Sequence, residues 1–332
     1  MTVLVINKTP LGEVPTECTY ALVSTALALG HEVHGCRMAD VAMTEAGVHA
    51  TTREVCARPN GSFAEAGTSR RRPLRSFDAV VNRHDPPVDL AYVSLLLALR
   101  HAEAEEGVLV CNSAEAVLRG SEKTLALAFP DLTPPTLVSS DADAIRAFRA
   151  EHGAVVLKPL YDCGGHGVRV VLGDDDMEAH LQALLSSQSA PIVAQRFLPE
   201  VVDGDTRVLY IDGQVVGAFK RIPRPGTYVA NLCAGGRLAP ARLTPAEARA
   251  AETVGHTLRQ WGVVLCGADF IGGRLTELNV TSTVGVRQLR TLYGHDVAPG
   301  FWTAIEGRLD PSGHRPRSSA PSSPRAPSPQ RS

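Results

Sequence analysis

Gly267-Ala268-Asp269-Phe270-Ile271-Gly272-Gly273-Arg274-Leu275-Thr276-Glu277-Leu278-Asn279-Val280-Thr281-Ser282 puts oxygen-bearing side chains on two apolar strands joined by a pair of glycines. Side chains at i and i+2 of a strand share a face, so Glu277 and Asn279 project together while Leu275, Leu278 and Val280 supply apolar neighbours. Carboxylate and amide oxygens suit a hard cation. Magnesium fits best, because it keeps few protein ligands and leaves positions for nucleotide phosphates. The segment alone is equally compatible with a polar hairpin edge, since acidic residues beside a Gly-Gly turn are common. Register separates the two readings. A strict two-residue turn at Gly272-Gly273 pairs Asp269 with Thr276 and leaves Asp269 and Glu277 on opposite faces. A three-residue connection, or a bulge, pairs Asp269 with Glu277 on one face, and this second arrangement is expected.

Outward from the hairpin, the pattern divides the chain. Residues 3–6 read as a strand, 16–29 as an amphipathic helix and 31–35 as a strand, a βαβ opening continued by strand 77–82, helix 89–104 and strand 108–111. A parallel α/β layer is the economical fold for this part. Residues 58–75, rich in Gly, Ser, Pro and Arg, are expected to form a surface loop. A second unit begins with helices at 114–118 and 122–128, the breaker run Thr133-Pro134-Pro135, and a helix at 142–151 opened by Asp141. It continues as strand 154–158, a glycine-containing loop, strand 168–172, helix 176–185 and strand 191–195. The last third reads as strands 206–211 and 214–221 joined by Asp212-Gly213, an irregular Gly-rich loop to Arg237, helix 245–261 and the hairpin.

Composition narrows the function classes. At 332 residues and 44% hydrophobic content the chain can bury a large core divided into two or three subdomains. No apolar run approaches the roughly 20 residues that span a bilayer, and the N-terminus lacks a basic segment followed by a cleavable apolar one, so a cytoplasmic location is expected. Seven scattered cysteines without a C-x-x-C pair argue against a disulfide framework or a zinc site. The last 22 residues carry four arginines and no acids, so the overall charge of −2 becomes −6 for residues 1–310, and nothing in that part suggests nucleic-acid binding. The tail, 311–332, consists mostly of Pro, Ser, Arg and Ala; it cannot offset its ordering entropy by burial and is expected to be disordered.

Phosphate-binding signatures come next. A P-loop is absent and no complete G-x-G-x-x-G follows the first strand. Lys158, however, ends an apolar strand and is followed by Asp162-Cys163-Gly164-Gly165-His166-Gly167. Unencumbered backbone N–H groups beside an ammonium suit polyphosphate, although such a loop taken singly is as readily a plain turn. Lys123, near a helix start, says little alone. Arg207 follows Asp203-Gly204-Asp205-Thr206, Arg221 closes the next strand and Arg237 follows Ala234-Gly235-Gly236, an arrangement suited to clamping carboxylate or phosphate bidentately.

Taken in order, Asn82-Arg83-His84-Asp85-Pro86-Pro87, Ser121-Glu122-Lys123, Leu157-Lys158-Pro159-Leu160, Gly164-Gly165, Gln195-Arg196-Phe197-Leu198-Pro199, Asp203-Gly204-Asp205-Thr206-Arg207, Arg221-Ile222-Pro223, Asn231-Leu232-Cys233-Ala234-Gly235-Gly236-Arg237 and Thr276-Glu277-Leu278-Asn279-Val280-Thr281-Ser282 closely resemble the bacterial glutathione synthetase family of ATP-grasp ligases. The resemblance covers residues 3–309. It implies an α/β pre-ATP-grasp domain at 1–118, an ATP-grasp lid at 119–200 and a C-terminal ATP-grasp subdomain with the metal site at 201–310. It places Lys123 and Lys158 on the phosphates of ATP, Gly164 and Gly165 in a mobile loop over them, Gln195, Arg196, Phe197 and Leu198 along the adenine, and Asp205 on the nucleotide side. Asp269, Glu277 and Asn279 match the ligands of two magnesium ions, for which manganese can substitute. Arg207 and Arg221 fall at the reacting centre, with Asn231, Gly235, Gly236, Arg237 and Ser282 on the substrate side and Arg83 reaching toward the acceptor dipeptide. The family further implies small amino-acid and peptide substrates, no nucleic acid or membrane partner, and a homotetramer.

The implied reaction is activation of a carboxylate by ATP as an acyl phosphate, with release of ADP, followed by attack of an amine; for the family it joins glycine to γ-glutamylcysteine. Two loops depart from the family pattern. Asp162 stands where the first glycine of Asp-Gly-x-Gly-Gly is usual, and Thr227 and Val229 occupy positions normally held by Glu and Arg. Loss of an arginine able to grip a carboxylate motivates an alternative, a related ligase or cyclo-ligase acting on another amino acid or peptide.

Overall fold

The computed structural model describes residues 1–13, 18–173, 177–187 and 190–309, and among these the strands form three sheets. The first sheet has seven strands: β1 (Thr2–Ile6), β2 (Glu32–Cys36), β3 (Val41–Thr44), β4 (Gly47–Ala57), β5 (Phe63–Pro73), β6 (Ala79–Asn82) and β7 (Leu109–Cys111). Its centre is the expected parallel layer, β2-β1-β6-β7, flanked by helices α1 (Cys18–Ala28) and α2 (Leu90–Glu105). The run Val3-Leu4-Val5-Ile6 is buried throughout, as a strand covered on both faces requires. Residues 16 and 17 of the expected first helix, and the tail at 311–332, lie outside the described residues.

Residues 58–75 need correcting. Most of this segment is not a loop but β5, paired antiparallel with β4 from Ala57↔Phe63 to His49↔Pro73. Phe63 is its one fully buried side chain, and the arginines at 70–72 sit on an outer strand where charge discourages further pairing. β3 and β4 were likewise not anticipated, so the parallel layer carries an antiparallel extension.

Short helices α3 (Ala114–Leu118) and α4 (Glu122–Leu125) lead to the second sheet, β8 (Thr136–Ser139), β9 (Val155–Pro159), β10 (Arg169–Val171) and β11 (Ile192–Arg196), antiparallel in the order β10-β9-β11-β8. Helices α5 (Ala142–His152) and α6 (Met177–Ser187) belong to this unit, whose core holds Ile145, Leu157 and Leu181. The Asp141 carboxylate accepts from the amides of Asp143 and Ala144, which fixes the start of α5 where its sequence indicates.

The third sheet, β14-β13-β12-β15-β16, comprises β12 (Asp205–Ile211), β13 (Gln214–Ile222), β14 (Arg237–Pro240), β15 (Leu265–Ile271) and β16 (Arg274–Asn279). Helix α7 (Pro245–Gln260) opens with a reciprocal capping box between Thr244 and Glu247 and buries Ala251, Val254 and Leu258. Helices α8 (Val286–Tyr293) and α9 (Ala298–Arg308) return the chain to the first sheet. There Trp302 is buried, donates to the Leu22 carbonyl at 2.8 Å, and shares a core with Leu22, Val3, Leu209 and Phe301. No described helix is long and apolar enough to cross a membrane.

Candidate active site

Register builds the floor of the site. Asp269 pairs with Glu277, and a bulge between Asp269 and Phe270 absorbs Thr276, whose hydroxyl donates to the Asp269 carbonyl at 3.1 Å. The hairpin thus takes the bulged form of the arrangement expected from sequence, and both carboxylates face one side. On the neighbouring strands Arg207 lies opposite Asp269, and Asp205 lies opposite Arg221. Three adjacent strands therefore converge four charged side chains on one patch.

Asp269 is 2% exposed, with Oδ2 crowded by donors and Oδ1 accepting one bond. Arg207 donates to it bidentately, Nε to Oδ1 at 2.7 Å and Nη2 to Oδ2 at 2.6 Å; Arg221 Nη2 reaches Oδ2 at 2.8 Å, and Asn279 Nδ2 donates to Oδ2 at 3.1 Å. Burial alone would raise this carboxyl, but the charges and hydrogen bonds of the two arginines outweigh it and hold Asp269 well below the usual carboxylate range. Asp205 moves the other way. Burial pushes it up, with help from the Asp269 charge and against the pull of Arg221 and Arg207. Its Oδ2 pairs with Arg221, while its buried Oδ1 has no hydrogen-bond partner. Gly267, opposite Asn279, leaves the room Arg207 needs: a Cβ there would lie 3.1 Å from the arginine side chain and 2.6 Å from the Thr283 hydroxyl.

The second sheet supplies the roof. Lys158 on β9 donates to Gln195 Oε1 at 2.9 Å, and Gln195 donates onward to Thr136 Oγ1 at 2.9 Å. Burial lowers the Lys158 amine; Glu277 pulls against that shift and Lys123 adds to it. Lys123 on α4 bridges roof and floor, donating to the Asp162 carbonyl at 2.6 Å and lying 3.8 Å from Glu277 Oε1. The adjacent Glu122 carboxylate accepts from the Thr281 amide and hydroxyl, and burial raises it.

Between roof and floor lies a cleft of about 920 Å³, solvent in its open mouth included. All nine residues expected on the nucleotide line it: Lys123, Lys158, Gly164, Gly165, Gln195, Arg196, Phe197, Leu198 and Asp205. So do Asp269, Glu277, Asn279, Arg221 and Asn231. Arg207, Arg83, Ser282, Gly235, Gly236 and Arg237 are not among the lining residues. Arg207 stands behind Asp269. Arg83 is buried, donating to Thr19 Oγ1 at 3.2 Å and to the Thr283 carbonyl at 3.0 Å, and Ser282 donates to Asp85. A Cβ on Gly235 would lie 2.0 Å from the Arg224 guanidinium, so that glycine makes room for a contact within its own loop.

Two loops meet above the cleft. Gly165 has φ +80°, and a Cβ there would sit 2.7 Å from Val229 Cγ1 and 3.0 Å from Asn231 Oδ1, so the glycine loop packs directly against residues 229–231. Tyr228 meets Phe197 edge to face with centroids 5.1 Å apart, tying the same loop to the expected adenine segment. Asp162, where the family usually has glycine, does not need the left-handed backbone. Among the described residues Asp212 alone adopts it without being glycine.

The sequence reading assigned no role to Asn112. Its amide is buried at the end of β7 and uses its full capacity: Nδ2 donates to the Leu265 and Val280 carbonyls at 2.7 and 2.6 Å, and Oδ1 accepts from the Val264 and Leu265 amides at 2.8 and 2.9 Å. It clamps the entry of β15 and the exit of β16 to the first sheet. Glu122 was legible only as the neighbour of Lys123 in a family motif; its bond to Thr281 spans 159 positions.

Residues 2–119 match the prokaryotic glutathione synthetase N-terminal domain, and residues 122–294 match the prokaryotic glutathione synthetase ATP-grasp domain. The chain belongs to the prokaryotic glutathione synthetase family. Glutathione synthetase from Rhodopseudomonas palustris is 38% identical over 294 residues, covering 88% of this chain and 93% of that protein. Its Bradyrhizobium diazoefficiens counterpart is 40% identical over 247 residues, covering 74% and 78%. Among solved structures, a D-cycloserine synthetase superposes with TM-score 0.64 at 17% identity, over 93% of this chain and all of that one. A RimK-domain ATP-grasp protein from Sphaerobacter thermophilus gives TM-score 0.60 at 19% identity, over 92% and 100%. These two show the fold, ATP-grasp. As a member of the glutathione synthetase family the chain is an ADP-forming ATP-grasp ligase.

Proposed function

We propose that this ligase joins glycine to γ-glutamylcysteine, converting ATP to ADP and phosphate. The observation that carries the reading is a single cleft in which Lys123 and Lys158 face Asp269, Glu277 and Asn279. The donor carboxylate attacks the γ-phosphorus, ADP leaves, and the glycine amine then attacks the acyl carbon of the acyl phosphate and expels phosphate. Lys123, Lys158 and the backbone amides of Gly164 and Gly165 bind the phosphates as the negative charge shifts. Gln195 to Leu198 border the adenine. Arg221, buried but lining the cleft, stabilises the oxyanion that forms at the acyl carbon. Arg207, committed to Asp269, positions that carboxylate.

Two carboxylates and an amide oxygen on one hairpin face fit a hard divalent cation that shares phosphate oxygens. Asp269, Glu277 and Asn279 would hold magnesium, which supplies charge neutralisation on the transferring phosphoryl group. The family resemblance extends this reading to two ions, to manganese as a substitute, to a cytoplasmic setting and to a homotetramer. The three sheets support the division into units 1–118, 119–200 and 201–310. The loops over the cleft exclude water, which would otherwise hydrolyse the acyl phosphate.

The test is ADP release by the purified chain with ATP, magnesium, γ-glutamylcysteine and glycine, with product mass measured. Release that requires both substrates and yields the tripeptide is expected. Turnover only with a different amine or donor would overturn the substrate assignment while keeping the ligase.

A further inference from the structure

Three of the described cysteines are exposed, Cys56, Cys163 and Cys233; Cys163 lines the cleft, and Cys233 touches the residue that follows it. Cys163 precedes Gly164 in the glycine loop, while Cys233 belongs to the loop that packs against it. The Cys233 thiol donates to the Gly164 carbonyl, with Sγ at 3.2 Å, and a Cβ on Gly164 would lie 3.1 Å from that sulfur. One thiol therefore rests against the residue next to the other. Gly164, Gly165 and Gly167 give the intervening backbone the freedom to bring Cys163 round.

We propose that Cys163 and Cys233 form a dithiol redox site, which a low-molecular-weight disulfide oxidises to a cross-loop bridge that pins both loops over the cleft and stops turnover. The Cys233 thiolate attacks one sulfur of the small disulfide and releases one thiolate. Cys163, deprotonated, then attacks the Cys233 sulfur of the mixed disulfide and releases the second. Two thiols lose two electrons, one small disulfide gains them, and two small thiols form. Burial, followed by the Glu122 charge, pushes the Cys163 thiol up, which disfavours it as the first attacker. A loop cross-linked in this way cannot open to admit nucleotide or release product. The choice of oxidant, but not the dithiol itself, rests on the proposed reaction, whose product is a thiol.

The experiment treats the full chain with glutathione disulfide and maps its peptides without reduction. The expected result is one linked pair containing Cys163 and Cys233, a fall in ligase-coupled ADP release of roughly tenfold or more, and recovery with dithiothreitol. Cys233→Ser is expected to resist the oxidant, whatever its basal rate, and Cys56→Ser to respond like the parent. Free or separately capped Cys163 and Cys233, or a Cys233→Ser variant as sensitive as the parent, would overturn the proposal. The peptide map reads the bridge independently of catalysis, so failure of the substrate assignment leaves this result standing.

Discussion

The floor of the cleft and the loops above it are built by different means. On the floor, Asp205, Arg207, Arg221 and Asp269 are fixed by strand register, and their partners come from neighbouring strands. Above it, residues 161–167 and 223–237 are held by close approaches at glycines, an edge-to-face ring pair and a thiol-to-carbonyl contact. The proposed metal ligands lie in the part that cannot shift without breaking a sheet, whereas Gly164 and Gly165, proposed to hold phosphate, lie in the part that can.

Perturbing side chains held by the sheets should cost most. Asp269→Ala leaves Arg207 and Arg221 buried without their shared carboxylate, and loss of one partner from a buried ion pair costs about 3–5 kcal/mol. Denaturant unfolding should register that loss together with abolished ligation. An Asp269→Ala protein as stable as the parent would show that the floor is not locked as described. Lys158→Ala should fold normally but lose about 3 kcal/mol of transition-state stabilisation, roughly a hundredfold in kcat, as measured by coupled ADP release. Near-normal turnover would remove Lys158 from the phosphate site.

The loops should respond more gently. Gly165→Ala imposes a left-handed backbone on alanine, about 1–2 kcal/mol, and drives a methyl into Val229, so kcat/KM should fall roughly tenfold. Gly173→Ala shares the backbone strain without a neighbour within 4 Å and should leave kcat/KM unchanged. Equal effects from both would mean that strain alone, not loop packing, governs access. The smallest effect is a pH limb. Burial favours the neutral Lys158 amine, whereas a bound polyphosphate favours the charged form, so nucleotide affinity should decline as pH rises, starting below the ordinary lysine range of about 10.4. Calorimetric titration across alkaline pH should show that decline in the parent and a flatter profile in Lys158→Arg.

The same contrast explains what the sequence made legible. Strand alternation narrowed the hairpin to two registers, and the expected one, with Asp269 opposite Glu277, is reached through a bulge rather than a longer turn. Family motifs brought the nucleotide-side residues to one cleft. Composition misread residues 58–75, since β5 is an outer strand whose Arg70 and Arg71 are exposed and whose stability comes from its ladder with β4, neither of which leaves an apolar alternation. Arg83 was expected toward the acceptor; two of its hydrogen bonds run to Thr19 and Thr283, partners 64 and 200 positions away that leave no local trace. The same holds for Asn112, whose partners lie more than 150 positions downstream.

Asn112 has a consequence for how such a protein can be rearranged by evolution or by hand. The chain looks divisible between residues 119 and 122, where one family domain ends and the next begins. Yet one amide from the first segment closes four backbone bonds at the root of the hairpin in the second. A recombinant that exchanged the first segment for a foreign one would inherit the phosphate and metal residues intact and still lose their alignment, unless the donor also carried an asparagine at that strand end. The heritable unit of this active site is therefore larger than the segment containing its ligands.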